Sequence, residues 1–339
     1  MKDGLEAAAR ANVESIAREA IAHPPGGRSA VLFDRDSALA RLLAEAWREV
    51  LPGAAAIDAA AAPAAALGAI DGLGPGDLVV LVESLRFFPE EHRFRVRLFD
   101  RGLAVAEFPH LARIEPGEEA AYVDALAYDP GWYRAIGPAL KRRLDRAGGA
   151  RLESGGAVLE YAGGFEEARL NVGDYRGART VGGQFPIGEV FTELRDLSGV
   201  GGEVLLFAYG GPDFRLAAPE RPFLLRVDAG VVVDAPGAPA EFEAILEAIR
   251  LEEGVVRVRE LGLGLNRAFR RNRRVSDVGA YERMSGVHLS LGAKHAIYAK
   301  AGLAKRRTKF HVDVFAAVDR FRIDGVDVWD GTAFADTAA

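Results

Sequence analysis

The chain has 339 residues, 49% of them hydrophobic and 27% charged, with a formal net charge of −6 at pH 7 and no cysteine. A length of this order predicts two domains and a core that needs no covalent staples. The acidic balance argues against nucleic acid as a partner, and the missing cysteines exclude disulfides and thiolate metal sites.

In chain order, residues 1–22 mix acids and bases at helical spacing without an apolar leader core, so the chain is expected in the cytoplasm. No apolar stretch reaches the roughly 18–20 residues of a membrane span; the alanine-rich run 53–70 is broken by Asp58 and Pro63. Residues 29–33 read as a strand and 34–50 as a helix, with Leu39, Leu42, Leu43, Ala46 and Trp47 at helical spacing. A second buried strand follows at 77–82, then a basic and aromatic helix, a third strand at 102–108 and helices near 116–128 and 132–147. This alternation predicts an α/β N-terminal domain with a mainly parallel sheet, residues 1–149. Beyond Gly149 the pattern turns to short strands separated by glycine turns: 156–161, 168–174, 202–209 and a hairpin over 223–234. One helix, residues 240–251, interrupts them with Phe242, Ile245, Leu246 and Ile249 on one stripe. Residues 150–339 are therefore expected to form an α+β, strand-rich domain.

That second half carries five possible metal ligands in order: Glu189, Glu260, His288, His311 and Asp313. His311 and Asp313 are two apart in Phe310-His-Val-Asp-Val-Phe315, and side chains two apart on a strand share a face about 6.5–7 Å apart. An ordinary half-exposed strand alternates in the same way. Glu260 ends the run Val255-Val-Arg-Val-Arg-Glu260, where period two puts it with Val256 and Val258, and Arg257 with Arg259 on the other face. A carboxylate on an apolar face is costly unless its charge is offset, by a cation or by a nearby arginine. His288 sits between glycines in Ser285-Gly-Val-His-Leu-Ser-Leu-Gly292, which permits close backbone approach, although a lone histidine there is more often a satisfied core residue. Glu189 follows the Pro186 to Gly188 turn at the start of an apolar strand, a place that a surface turn would also occupy. Without cysteine, any metal must be held by nitrogen and oxygen.

Taken together, Gly188-Glu-Val-Phe-Thr192, Glu260-Leu-Gly262, His288 through Gly292 and His311-Val-Asp313 resemble the thermophilic-type metallo-aminopeptidases, the family of aminopeptidase T. The resemblance covers most of residues 150–339 and the N-terminal half in outline. It implies an N-terminal α/β domain, a C-terminal metal-bearing domain, a homodimer, and one or two divalent cations such as zinc, cobalt or manganese on Glu189, Glu260, His288, His311 and Asp313. Glu260 would also be catalytic, accepting the proton of an attacking water. The family places a tyrosine seven positions after the ligand matched by His288; here that position is His295, expected to face the developing oxyanion. Some relatives of the family are Fe(II)-dependent dioxygenases that open hydroxylated rings at a mononuclear site, where Glu260 is replaced by histidine.

The expected function is hydrolysis of an N-terminal or small-molecule amide in a small peptide or other small substrate. The alternatives are the iron dioxygenase and a non-catalytic binding descendant. Neither nucleic acid nor membrane is expected as a partner. No Gly-x-Ser-x-Gly elbow, phosphate loop or dinucleotide fingerprint occurs. Two basic runs, 267–274 and 305–309, read as solvated loops or dimer contacts, with recognition of a substrate carboxylate as the functional alternative. Asn266, just ahead of the first run, is a candidate to hydrogen-bond a substrate amide.

Overall fold

The computed structural model describes residues 2–88, 94–294, 297–298, 300 and 309–335. The chain forms two compact units that interleave along the sequence. The first comprises residues 1–134, 171–187 and 273–280; the second comprises 135–170, 188–272 and 281–339. A single cut near Gly149 does not describe this division, because two later segments return to fold with the N-terminal residues. Composition changes near Gly149, but short returning segments leave no compositional mark.

The strands in chain order are β1 (Ser29–Phe33), β2 (Ala55–Asp58), β3 (Leu78–Val82), β4 (Ala104–Phe108), β5 (Gly149–Ser154), β6 (Ala157–Ala162), β7 (Arg169–Asn171), β8 (Gly182–Gln184) and β9 (Glu189–Glu193). They continue as β10 (Val200–Gly210), β11 (Leu216–Ala217), β12 (Phe223–Asp228), β13 (Val231–Asp234), β14 (Val258–Gly264), β15 (Gly286–Leu291), β16 (Val312–Ala316), β17 (Arg320–Ile323) and β18 (Val326–Trp329).

In the first unit, β2, β1, β3, β4 and β8 make a five-stranded sheet in that order, parallel throughout. β1, β3 and β4 are buried along their whole length, which is why they read as unbroken apolar runs. Leu32, Val79, Leu81 and Val105 pack with Ile70 of the helix Pro63–Asp71 and Leu98 of the helix Phe94–Asp100. Trp47, on the helix Ala38–Val50, is fully buried and meets Phe108 edge-on at 5.9 Å. Ser37 starts that helix, its side chain accepting from the Ala40 amide, so the helix begins four residues later than Asp34.

The second unit is built on a strand-rich antiparallel sheet, ordered β18, β17, β5, β6, β10, β16, β15, β14, β9, β7, with β11, β12 and β13 joined through β10. The helix Ala240–Glu253 buries Phe242, Ile245, Leu246 and Ile249, the stripe read from the sequence. The strand expected at residues 255–260 begins at Val258 and runs on to Gly264. β14 lies between β9 and β15 and is buried at every position. Period two therefore does not separate core from solvent there. Arg259 is correspondingly not on a solvated face: it is 1% exposed and grips Glu193, with Nε to Oε2 at 2.6 Å and Nη2 to Oε1 at 3.1 Å. Among the described residues no helix is long and apolar enough to cross a membrane.

Candidate metal centre

Four neighbouring strands bring the proposed ligands together. β9 and β15 flank β14, and β16 lies beyond β15. Register pairs Gly264 with Glu189, Gly262 with His288, His288 with Phe315, and Ser290 with Asp313. Directly paired residues in an antiparallel sheet project to the same side. Glu189, His288 and Asp313 thus follow from ladder geometry.

Glu260 pairs with Glu193 in the unbroken β14–β9 register, two residues before Gly262 and on the same side as it, while the opposite edge of β14 is irregular. The β14–β15 register shifts between Val258 and Leu261, and the Glu260 amide donates to Ser290 Oγ at 3.0 Å. Gly262 then leaves the room its partner needs: a Cβ there would lie 2.1 Å from His288 Cε1 and Nε2. The imidazole lies across the β14 backbone where any other residue would put its side chain.

The result is two adjacent sets of donors. Glu189, Glu260 and His288 offer ligand atoms all within 4.8 Å of one another, and so do Glu260, His311 and Asp313. Glu260 belongs to both. His288 Nε2 lies 3.2 Å from Glu189 Oε1 and 3.6 Å from Glu260 Oε1; His311 Nε2 lies 3.2 Å from Asp313 Oδ1. His311 immediately precedes β16, and its Nδ1 is 3.1 Å from the Lys294 carbonyl. With the proton on Nδ1, that contact directs a bare Nε2 toward the carboxylates.

These groups fit a divalent cation. His288 is 1% exposed and Asp313 6%; His288 Nδ1 has no hydrogen-bond partner among the described residues, and His288 Nε2 and Asp313 Oδ1 face other candidate ligands. A buried polar atom without a partner costs about 1–3 kcal/mol. Burial lowers the pKa of His288, but the carboxylates of Glu189 and Glu260 outweigh it and raise the value to about 10. Burial likewise opposes protonation of His311, and Asp313 overcomes it, raising the pKa to about 9. Without an ion, the neighbouring acidic groups favour the protonated form of both imidazoles. A divalent cation would replace those protons.

Other residues complete the surroundings without having been found from the sequence. Arg283 is buried, with Nη2 3.9 Å from Glu189 Oε2. Phe315 packs against the His288 ring at 6.0 Å. Lys300 Nζ approaches Glu193 Oε1 at 3.2 Å, so with Arg259 Glu193 has two cationic partners. Asn266 is buried, and its Oδ1 accepts from the Ala268 amide at 3.1 Å, bracing its own loop. Arg267, Arg270, Arg271 and Arg274 are exposed. His295 and residues 305–307 lie outside the described residues.

No protein-family model and no curated protein matches the sequence. Solved structures do. The chain shares its fold with 2,5-dihydroxypyridine dioxygenase from Pseudomonas putida KT2440, at a TM-score of 0.65, with 16% identity over 97% of this chain and 97% of that one. It is also similar to AmpT from Thermus thermophilus, at a TM-score of 0.60, with 17% identity over 98% of this chain and 99% of that one. The fold is a two-domain, aminopeptidase-like one. At such identities the likeness concerns the fold alone, and it is similar for an oxygenase and for AmpT.

Proposed function

We propose that this protein is a metal-dependent hydrolase that cleaves an N-terminal or small-molecule amide bond. The observation that carries this reading is the pair of donor sets joined at Glu260. Each set offers one imidazole and two carboxylates, a composition suited to zinc or manganese. Glu189 and His288 on one side, and His311 and Asp313 on the other, would hold two cations with Glu260 between them. When bound, such a pair lowers the pKa of a shared water and polarises the carbonyl under attack.

Arg283 stands 3.9 Å from Glu189. The task of taking the water's proton is assigned to Glu260, the carboxylate common to both donor sets. The Lys294 carbonyl orients His311 through Nδ1, keeping Nε2 for the centre. His295 is assigned to the developing oxyanion on the sequence argument alone.

An iron oxygenase of the ring-opening kind needs two histidines and one carboxylate on one face. Neither donor set has that composition. The test is release of free amino groups from a panel of dipeptides and aminoacyl amides by protein loaded with zinc, cobalt or manganese, with Glu260→Gln as control. Turnover that disappears in Glu260→Gln supports the assignment. Oxygen uptake with ferrous iron and a hydroxylated aromatic or heterocycle, without amide hydrolysis under any divalent metal, overturns it in favour of the oxygenase. A protein that holds no metal and binds peptide without cleaving it would be the non-catalytic form.

A further inference from the structure

Ser290 lies on the ligand-bearing face of the sheet without belonging to either donor set. It is two residues after His288 on β15, which puts both side chains on the same side. It pairs directly with Asp313 of β16, and its hydroxyl oxygen accepts from the Glu260 amide of β14 at 3.0 Å. The serine thus stands between Glu260, common to both donor sets, and Asp313, a member of the second. It is fully buried.

The pairing of the strands explains why a side chain accepts there. Between β14 and β15, Val258 faces Leu291 and Leu261 faces Leu289, so Arg259 and Glu260 together stand opposite Ser290 alone. Where two residues face one, the ladder is locally disrupted. A buried main-chain N–H still requires an acceptor, and the Ser290 hydroxyl supplies one to Glu260. That acceptor is itself held firmly, because β15 is paired to β14 on one side and β16 on the other and is buried along its whole length. On its other edge β14 is in step with β9, where Glu260 faces Glu193. Glu260 is therefore fixed from both neighbouring strands, by register on one side and by a hydroxyl on the other. Metal–ligand distances tolerate only about ±0.2 Å, so the point from which a shared carboxylate reaches out matters to both ions.

We propose that Ser290 is a positioning residue: its hydroxyl fixes the main chain at Glu260 so that one carboxylate serves both donor sets. This rests on the two-ion reading given above and not on the reaction. Its signature is that weakening reaches both ions together, whereas a change at His288 or His311 strikes one set. The fold also supplies a comparison. Ser154 of β5 is likewise fully buried, and its Oγ accepts from the Leu205 amide of β10 at 2.9 Å. That bond is the same in kind, but it joins two strands that carry none of the five candidate ligands.

The experiment is calorimetric titration of the full chain, freed of metal by chelator, with zinc alone, together with the visible absorption of the cobalt-loaded protein. Ser290→Ala is expected to weaken both ions, each by about tenfold to a hundredfold, and to shift the cobalt bands. Ser290→Thr restores the hydroxyl and should bind both ions as the parent does. Ser154→Ala should lose thermal stability much as Ser290→Ala does, yet keep both ions at parental affinity. Circular dichroism and the melting temperature check that each variant is folded; where the added methyl of Ser290→Thr prevents folding, Ser290→Ala against Ser154→Ala decides. The proposal is overturned if Ser290→Ala binds both ions as the parent does or weakens one alone, if a folded Ser290→Thr stays as weak as Ser290→Ala, or if Ser154→Ala loses its ions to the same extent. Any of these results with a parent that holds two ions leaves the metal centre standing, whereas a parent that binds one or none refutes both.

Discussion

Gly262→Ala tests the centre by adding a single carbon atom. Gly262 needs no left-handed backbone, so alanine is conformationally acceptable and the cost lies in the contact alone. The new Cβ would sit 2.1 Å from His288 Nε2, whereas ordinary contact begins at 3.4 Å, so the imidazole must withdraw by the difference, about 1.3 Å. Metal–ligand distances tolerate about ±0.2 Å. A withdrawal several times larger removes His288 from the set it shares with Glu189 and Glu260. Overpacking a rigid site also costs about 1–3 kcal/mol. The expected outcome is loss of one ion per chain at a free-metal concentration that saturates the parent, and a weakening of that site of at least about tenfold to a hundredfold. The set containing His311 and Asp313 keeps its ion. Elemental analysis after dialysis against buffered zinc reads the stoichiometry, and the melting temperature reads the packing cost. Two ions bound with parental affinity in Gly262→Ala would refute the placement of His288.

Further outcomes follow from groups with displaced titration or buried charge. His288 and His311 have pKa values raised to about 10 and about 9, so metal binding should release protons and its apparent affinity should climb with pH until both are passed; calorimetry in buffers of different ionisation heat measures the release. In ion-free protein the same raised values stabilise the fold fully below the unfolded value of about 6.5 and progressively less as pH rises through 9 and 10, so its melting temperature should fall over that range. Glu83 is 4% exposed, and burial followed by the neighbouring Glu107 raises its pKa to about 7. The folded state then holds the extra proton, and stability declines from pH 4.5 to 7, by on the order of 3 kcal/mol; Glu83→Gln should flatten that decline in urea titrations and raise stability at pH 8. Arg259→Met breaks the buried pair with Glu193 and should cost about 3 kcal/mol, the low end for such a pair because Lys300 remains 3.2 Å away; an unchanged urea midpoint would contradict it.

The first sheet was legible wherever strands were apolar throughout: β1, β3 and β4 fall within residues 29–33, 77–82 and 102–108. β2 hid in the alanine-rich run, because it is a partly exposed edge strand with little β-branching, and Pro63 in the same run opens a helix. β8, three residues rich in glycine, joins the parallel edge only through its partner β4. At the candidate centre, ligand types and order could be read from single segments, whereas their spacing required the sheet. His311 and Asp313 needed only i,i+2 reasoning. Glu260 needed its register with β9, and the space for His288 needed Gly262, which is on a neighbouring strand. The alternation around Arg259 misled because β14 is central and buried on both faces, where charges meet partners rather than water. Arg283 carried no signal at all, since its link to Glu189 joins residues 94 positions apart.

The centre's defining property is the carboxylate common to both donor sets. Metal content of the parent and two variants, each purified without chelator, tests it most directly. The parent should hold two divalent ions per chain, His311→Ala one, and Glu260→Ala fewer than either, with all three folded by circular dichroism. A parent with one ion or none, or a Glu260→Ala variant that keeps the parent's full complement, would contradict the shared centre.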